Sequence, residues 1–166
     1  MSLIRKNSKP GFTLIEIITV LFVLSLGLIG VMALIVQNIA SQSLNKNNLI
    51  AYQLAQEGVE LIRKTRDSDW RQGLDWRTNL ADGVYYMDYR DSAPHSWSSS
   101  IGNLRQSEAG LYYNDLSQSG TDSRFSRAIT LATKDADSFY VAARLTWFDH
   151  SRPFNYELET ILYNWR

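Results

Sequence analysis

One carboxylate stands where a carboxylate is costly. Glu16 is the only charged side chain between Phe12 and Val36, and from Ile17 to Val36 only Thr19 and Ser25 are polar. A charge at bilayer depth costs about 2.5–3.5 kcal/mol on insertion scales, so such a residue either has a task or escapes to the interface by snorkelling. Other groupings have the residue types of chemistry without its spacing. Asp149-His150-Ser151 holds the components of a nucleophilic triad. Adjacent residues in a turn cannot adopt the mutual geometry that a triad needs, and there is no G-x-S-x-G elbow. Asp135 and Asp137 are spaced like the start of a calcium loop, but no EF-hand glycine or closing glutamate follows. Arg63-Lys64-Thr65-Arg66 reads as the solvated end of a helix rather than a phosphate patch. No Walker lysine loop or dinucleotide glycine pattern occurs. The expectation is a protein that is not an enzyme and that carries no catalytic residues, metal site or cofactor.

Composition narrows the classes further. The chain has 166 residues with 17 basic and 17 acidic side chains, a formal net charge of zero. That balance gives no argument for a nucleic-acid partner. Cysteine is absent and there are two histidines, His95 and His150, which removes disulfides, thiol nucleophiles and cysteine-based zinc sites. The charges are unevenly placed. Residues 1–11 contain Arg5, Lys6 and Lys9 and no acid. An oily rod follows, and from Gln37 onward the chain is polar and mixed.

The rod has no polar stripe, unlike a buried core helix. Its length as a helix, about 30 Å, matches the hydrocarbon core of a bilayer. The basic residues ahead of it place the N-terminal segment 1–11 in the cytoplasm and the body outside. A cleaved secretory signal fits less well, because the apolar run is too long and Gln37 to Ser43 is a weak cleavage context. Ser25, Gly27, Gly30 and Ala33 are small residues that suit close helix packing or ordinary membrane-helix composition equally.

The helix is expected to run from Phe12 to about Arg66, with Asp67-Ser68-Asp69 breaking it. Over residues 44–66 it becomes amphipathic: Leu44, Ile50, Ala51, Leu54, Ala55, Gly58, Leu61 and Ile62 share one arc. Gln53, Gln56, Glu57, Glu60, Arg63 and Lys64 take the other side. Glu60 and Lys64 have the favourable four-residue order. Arg63, Lys64 and Arg66 suit the dipole of a last turn. In the body, Gly83 to Arg90 and Gly110 to Asn114 read as short strands, and Ser96 to Gly102 as a serine-rich loop. Phe125, Ile129 and Leu131, then Phe139 to Trp147, then Tyr156 to Leu162 alternate as three strands. Their links, 134–137 and 149–153, are rich in turn formers. The fold class is α+β: a long N-terminal helix, transmembrane in its first half and amphipathic in its second, packed on a C-terminal antiparallel sheet.

The segment Lys9-Pro10-Gly11-Phe12-Thr13-Leu14-Ile15-Glu16 resembles the cleavage and methylation segment of type IV prepilins and pseudopilins. That family has a short basic leader, a glycine, an aromatic first mature residue and a glutamate four positions later in an apolar helix. The resemblance covers about the first quarter of the chain and is closest to a minor pilin. It implies a pilin-like head and four regions: a cleaved leader at 1–11, a transmembrane or filament-core helix at 12–36, its amphipathic continuation at 37–68, and a β-rich head at 69–166.

The same resemblance implies that a membrane prepilin peptidase cuts between Gly11 and Phe12 and methylates the new Phe12 amine. Phe12 and Glu16 would form the assembly contact between subunits. The implied partners are other pilin subunits, the peptidase, a pilus or secretion assembly machine and the cytoplasmic membrane. The protein would sit first in that membrane, with its head outside, and then in an extracellular filament. Many major pilins carry a proline in the second half of the apolar segment; this chain has none, which favours a minor pilin or a pseudopilin of type II secretion or DNA uptake. A reading from another class is a single-pass anchored binding or adhesion module that never polymerises.

Overall fold

The computed structural model describes residues 11–98, 103–114, 120–149 and 151–165. The basic leader before Gly11, most of the serine-rich loop and His150 lie outside the described residues. The chain divides into two compact units, Met1–Ser43 and Leu44–Arg166. One helix, α1 (Leu14–Arg71), contributes to both.

In the first unit α1 is apolar all round from Ile17 to Val36, and every described residue of the unit is exposed. Thr19 and Ser25 are the only hydroxyls of the run beyond Ile17, and each donates back into the helix, to the Glu16 carbonyl (2.9 Å) and the Phe22 carbonyl (2.8 Å). Hydroxyls satisfied in this way do not oppose an apolar solvent.

In the second unit the amphipathic arc of α1 is the buried one. Ala51, Leu54, Ala55, Gly58, Leu61 and Ile62 are buried as expected, and Asn47 and Val59 join them; Leu44 and Ile50 are half-buried. The helix does not stop at Asp67-Ser68-Asp69. Trp70 packs into the core, and buried Asp69 accepts hydrogen bonds from the Asn79 side chain (2.7 Å) and backbone N–H (3.3 Å). The true stop is Gly73 at φ 73°. The Leu74 N–H returns to the Asp69 carbonyl and the Gly73 N–H to the Trp70 carbonyl, a Schellman termination that needs the left-handed residue. Arg71 is therefore the basic residue of the last turn. Arg66 lies buried one turn earlier, against Asp67, the Tyr163 carbonyl and the Trp70 ring. Glu60 pairs with Arg63 (2.6 Å) rather than with Lys64.

Among the described residues the sheet has seven antiparallel strands: β1 (Gly83–Tyr86), β2 (His95–Ser96), β3 (Asn103–Gln106), β4 (Tyr112–Tyr113), β5 (Thr121–Asp135), β6 (Ser138–Asp149) and β7 (Arg152–Tyr163). The three long strands are the expected meander, joined by short links at 136–137 and 150–151. Along its other edge β5 pairs with β1 and then β3, which carry β2 and β4. Two small strands were not expected, β2 within what reads as loop and β3 just after it. The inward face of β5 and β6 (Phe125, Ile129, Leu131, Phe139, Val141, Ala143, Leu145 and Trp147) forms one core with the buried stripe of α1. At Gly58 the approach is close: a Cβ there would stand 3.2 Å from Arg127 Cδ and 3.3 Å from Ala143 Cβ.

Arg127 shares the inward parity of β5 with Phe125 and Ile129 and is wholly buried. It donates to the Leu54 carbonyl of α1 (2.9 Å) and to the Met87 carbonyl (2.6 Å), with Glu57 3.4 Å away. Burial pushes its guanidinium pKa down, and Glu57 opposes that shift. The neighbouring loop is organised by Asp88, also buried. Its carboxylate accepts from the Arg90 backbone and guanidinium and from the Asn114 N–H.

Candidate functional site

The expected processing and assembly residues lie where α1 begins. Gly11, Phe12 and Thr13 precede the helix, and Thr13 caps it: its hydroxyl accepts the Glu16 N–H at 3.3 Å, and its carbonyl accepts the Ile17 N–H at 3.2 Å. Thr13-Leu14-Ile15-Glu16 thus has the spacing of a capping box. The Thr-x-x-Glu pattern is legible in the sequence. The cap fixes where the helix starts and therefore where Glu16 points. In the first turn the Glu16 carboxylate also faces the positive end of the helix dipole.

Phe12 is 82 % exposed and Glu16 is exposed. With Ile17, Val20 and Leu21 they line an open recess of about 230 Å³. The chain therefore brings the aromatic residue and the carboxylate to one surface beside apolar side chains. Gly11 is exposed, and no atom stands within 4 Å of where its Cβ would be. The surrounding helix is long and apolar enough to cross a membrane, with a window of mean hydropathy 2.7 of which no part is buried.

Residues 6–32 match the prokaryotic N-terminal methylation motif. That match spans Gly11, Phe12 and Glu16 and ends inside the apolar run. No curated protein and no solved structure matches the chain. The motif supports a type IV pilin-like protein, and the apolar helix with it fits a membrane-anchored pilin. Motif and fold together indicate a structural subunit rather than an enzyme.

The remaining groupings have structural uses. Asp149 lies 3.5 Å from Arg124 in an ion pair, and Ser151 occupies the β6–β7 turn at φ 63°. Asp135 accepts the Asp137 N–H at 3.0 Å within the β5–β6 link. No cluster of three or more metal-ligating side chains occurs among the described residues.

Proposed function

We propose that this protein is a minor, type IV pilin-like subunit that is processed at Gly11 and assembled into a surface filament. The prepilin peptidase removes the basic leader, and the amine released on Phe12 is methylated. Because the cut precedes the apolar helix, the helix is kept as a building part.

The observation that carries the reading is the methylation-motif match around Gly11, with Glu16 the lone carboxylate of an unburied apolar helix. Oily helices in lipid have little driving force to choose one register. An ion pair between Glu16 of one subunit and the Phe12 ammonium of its neighbour supplies that choice. A repeated head-to-tail offset that does not close builds an open filament.

The lack of proline between Phe12 and Val36 fits equally a minor pilin and the alternative, a pseudopilin of a secretion or DNA-uptake machine. Genetic neighbours separate the two. Intact-mass and N-terminal analysis of the membrane-extracted protein tests both. A chain beginning at methylated Phe12 is the expected result. Either an intact Met1 or a cut near Ala40 overturns it: the first leaves an anchored module that does not polymerise, the second a released head without its apolar helix.

A further inference from the structure

The longest edge strand of the sheet is β7. β5 has partners along both edges, whereas β7 pairs only with β6 among the described residues. Alternate residues of this 12-residue strand therefore direct backbone N–H and C=O groups away from β6. Its inward face is also incompletely covered. On β6 the inward residues from Phe139 to Trp147 are buried, but on β7 Phe154, Tyr156, Leu158 and Thr160 are only half-buried. Beside them lies a cleft of about 470 Å³ between the strand and α1, walled by Gln56, Val59, Glu60, Arg63, Leu158 and Thr160.

An extended chain laid on this edge would present alternate side chains to two different surfaces. Toward α1 it meets Val59 and Leu158, where the charges are already matched: Glu60 with Arg63 and Glu57 with Arg127. On the opposite face it meets Glu157 and Glu159. Glu157 is matched by Arg144 at 3.0 Å. Glu159 faces the Tyr140 hydroxyl and lies in the field of the same Arg144, so two carboxylates against one guanidinium leave that face a negative charge. A second copy of β7 is a poor occupant. In the registers centred on the strand like charges meet, since antiparallel self-pairing about Leu158 sets Glu157 against Glu159 of the other copy and pairing about either glutamate sets it against itself; registers displaced to Thr160 and beyond avoid this but pair less of the strand.

We propose that the free edge of β7 binds an extended segment of a different polypeptide, whose alternate side chains are apolar toward α1 and basic toward Glu157 and Glu159. Backbone hydrogen bonds supply the affinity and the two faces supply the choice of partner. The surface lies wholly within the unit Leu44–Arg166 and does not depend on filament assembly.

The test uses the full chain in an uncharged detergent. The probes are a ten-residue peptide alternating valine with lysine, the same peptide with glutamate for lysine, and the lysine peptide N-methylated at alternate residues. The lysine peptide is expected to bind at least about tenfold more tightly than the glutamate peptide and to slow amide exchange in β7. The methylated peptide is expected not to bind. Glu159→Lys is expected to reverse the preference between the two charged peptides. Absence of binding, equal binding of both charged peptides, protection confined to other strands, or an unchanged preference in Glu159→Lys overturns the proposal. So does protection of β7 by self-association without peptide.

Discussion

The Arg127 guanidinium stands 3.4 Å from the Glu57 carboxylate, the first wholly buried and the second about one third exposed. The pair is unequal, because Arg127 also holds the carbonyls of Leu54 and Met87 and so ties the helix and a loop to the strand. Removing the arginine orphans two carbonyls and opens a cavity in the core. Arg127→Ala is expected to destabilise the protein by about 3–5 kcal/mol. Arg127→Met, which refills the space, should cost less. Glu57→Gln, which weakens compensation at a partly hydrated site, should cost about 1–2 kcal/mol. Denaturant unfolding of the three variants ranks them.

Gly58 sets the distance between α1 and the sheet. Mid-helix, alanine normally gains about 0.5–1 kcal/mol over glycine. Here the added methyl would press on Arg127 Cδ at 3.2 Å and Ala143 Cβ at 3.3 Å. The arginine stem is anchored by the bonds at its far end and cannot swing aside. Gly58→Ala is expected to destabilise by about 1 kcal/mol net and Gly58→Leu by several, as overpacking costs accumulate. A thermal melt that rises in Gly58→Ala would contradict this geometry.

Asp88 makes the fold sensitive to acid. Burial raises its pKa, but hydrogen bonds from Arg90 and Asn114 more than offset this, and the carboxyl is held below its ordinary value of 3.8. A group with a depressed folded pKa contributes stability above its unfolded value and loses it as pH falls through the folded one. Asp88→Asn is therefore expected to be less stable than the parent at neutral pH. The gap should close as pH drops below about 3.8. Paired unfolding curves across that window measure it.

Glu16 separates insertion from assembly. Glu16→Gln keeps a polar side chain, and α1 its length and cap, so the variant is expected in the membrane fraction at parental levels. It loses the charge of the proposed pairing with the Phe12 ammonium, so on that proposal filaments sheared from cells should lack it. Normal incorporation of Glu16→Gln would remove the register role of the carboxylate.

The parts of this protein that were legible in its sequence are those where residue type and period agree. The three long strands stand out because apolar residues alternate without interruption from Phe139 to Trp147 and, apart from Arg127 and Thr160, along its two neighbours. The same habit of counting only apolar positions hides Arg127, which occupies an inward slot between Phe125 and Ile129. The helix end was misplaced because Asp67-Ser68-Asp69 has the composition of a breaker. Burial of Asp69 against Asn79 and termination at Gly73 decide the matter, and both depend on partners distant in space or on a backbone angle. β2 and β3 have two and four residues, too few for a period; they owe their form to β1 and β5. At the start of α1 the motif was legible because it is written in residue types. The capping role of Thr13 is written there too, in a Thr-x-x-Glu spacing that the apolar period does not pick out.

The chain has five tryptophans, and all of them lie beyond Ser43. Trp147 and Trp76 are enclosed in the core, and Trp165 meets Trp70 edge-on at 4.7 Å while staying mostly exposed. The apolar segment before them has no indole at all. Intrinsic fluorescence thus watches one unit and is blind to the other. Melting of the sheet can be followed by emission while the lipid or detergent around the silent helix is changed at will.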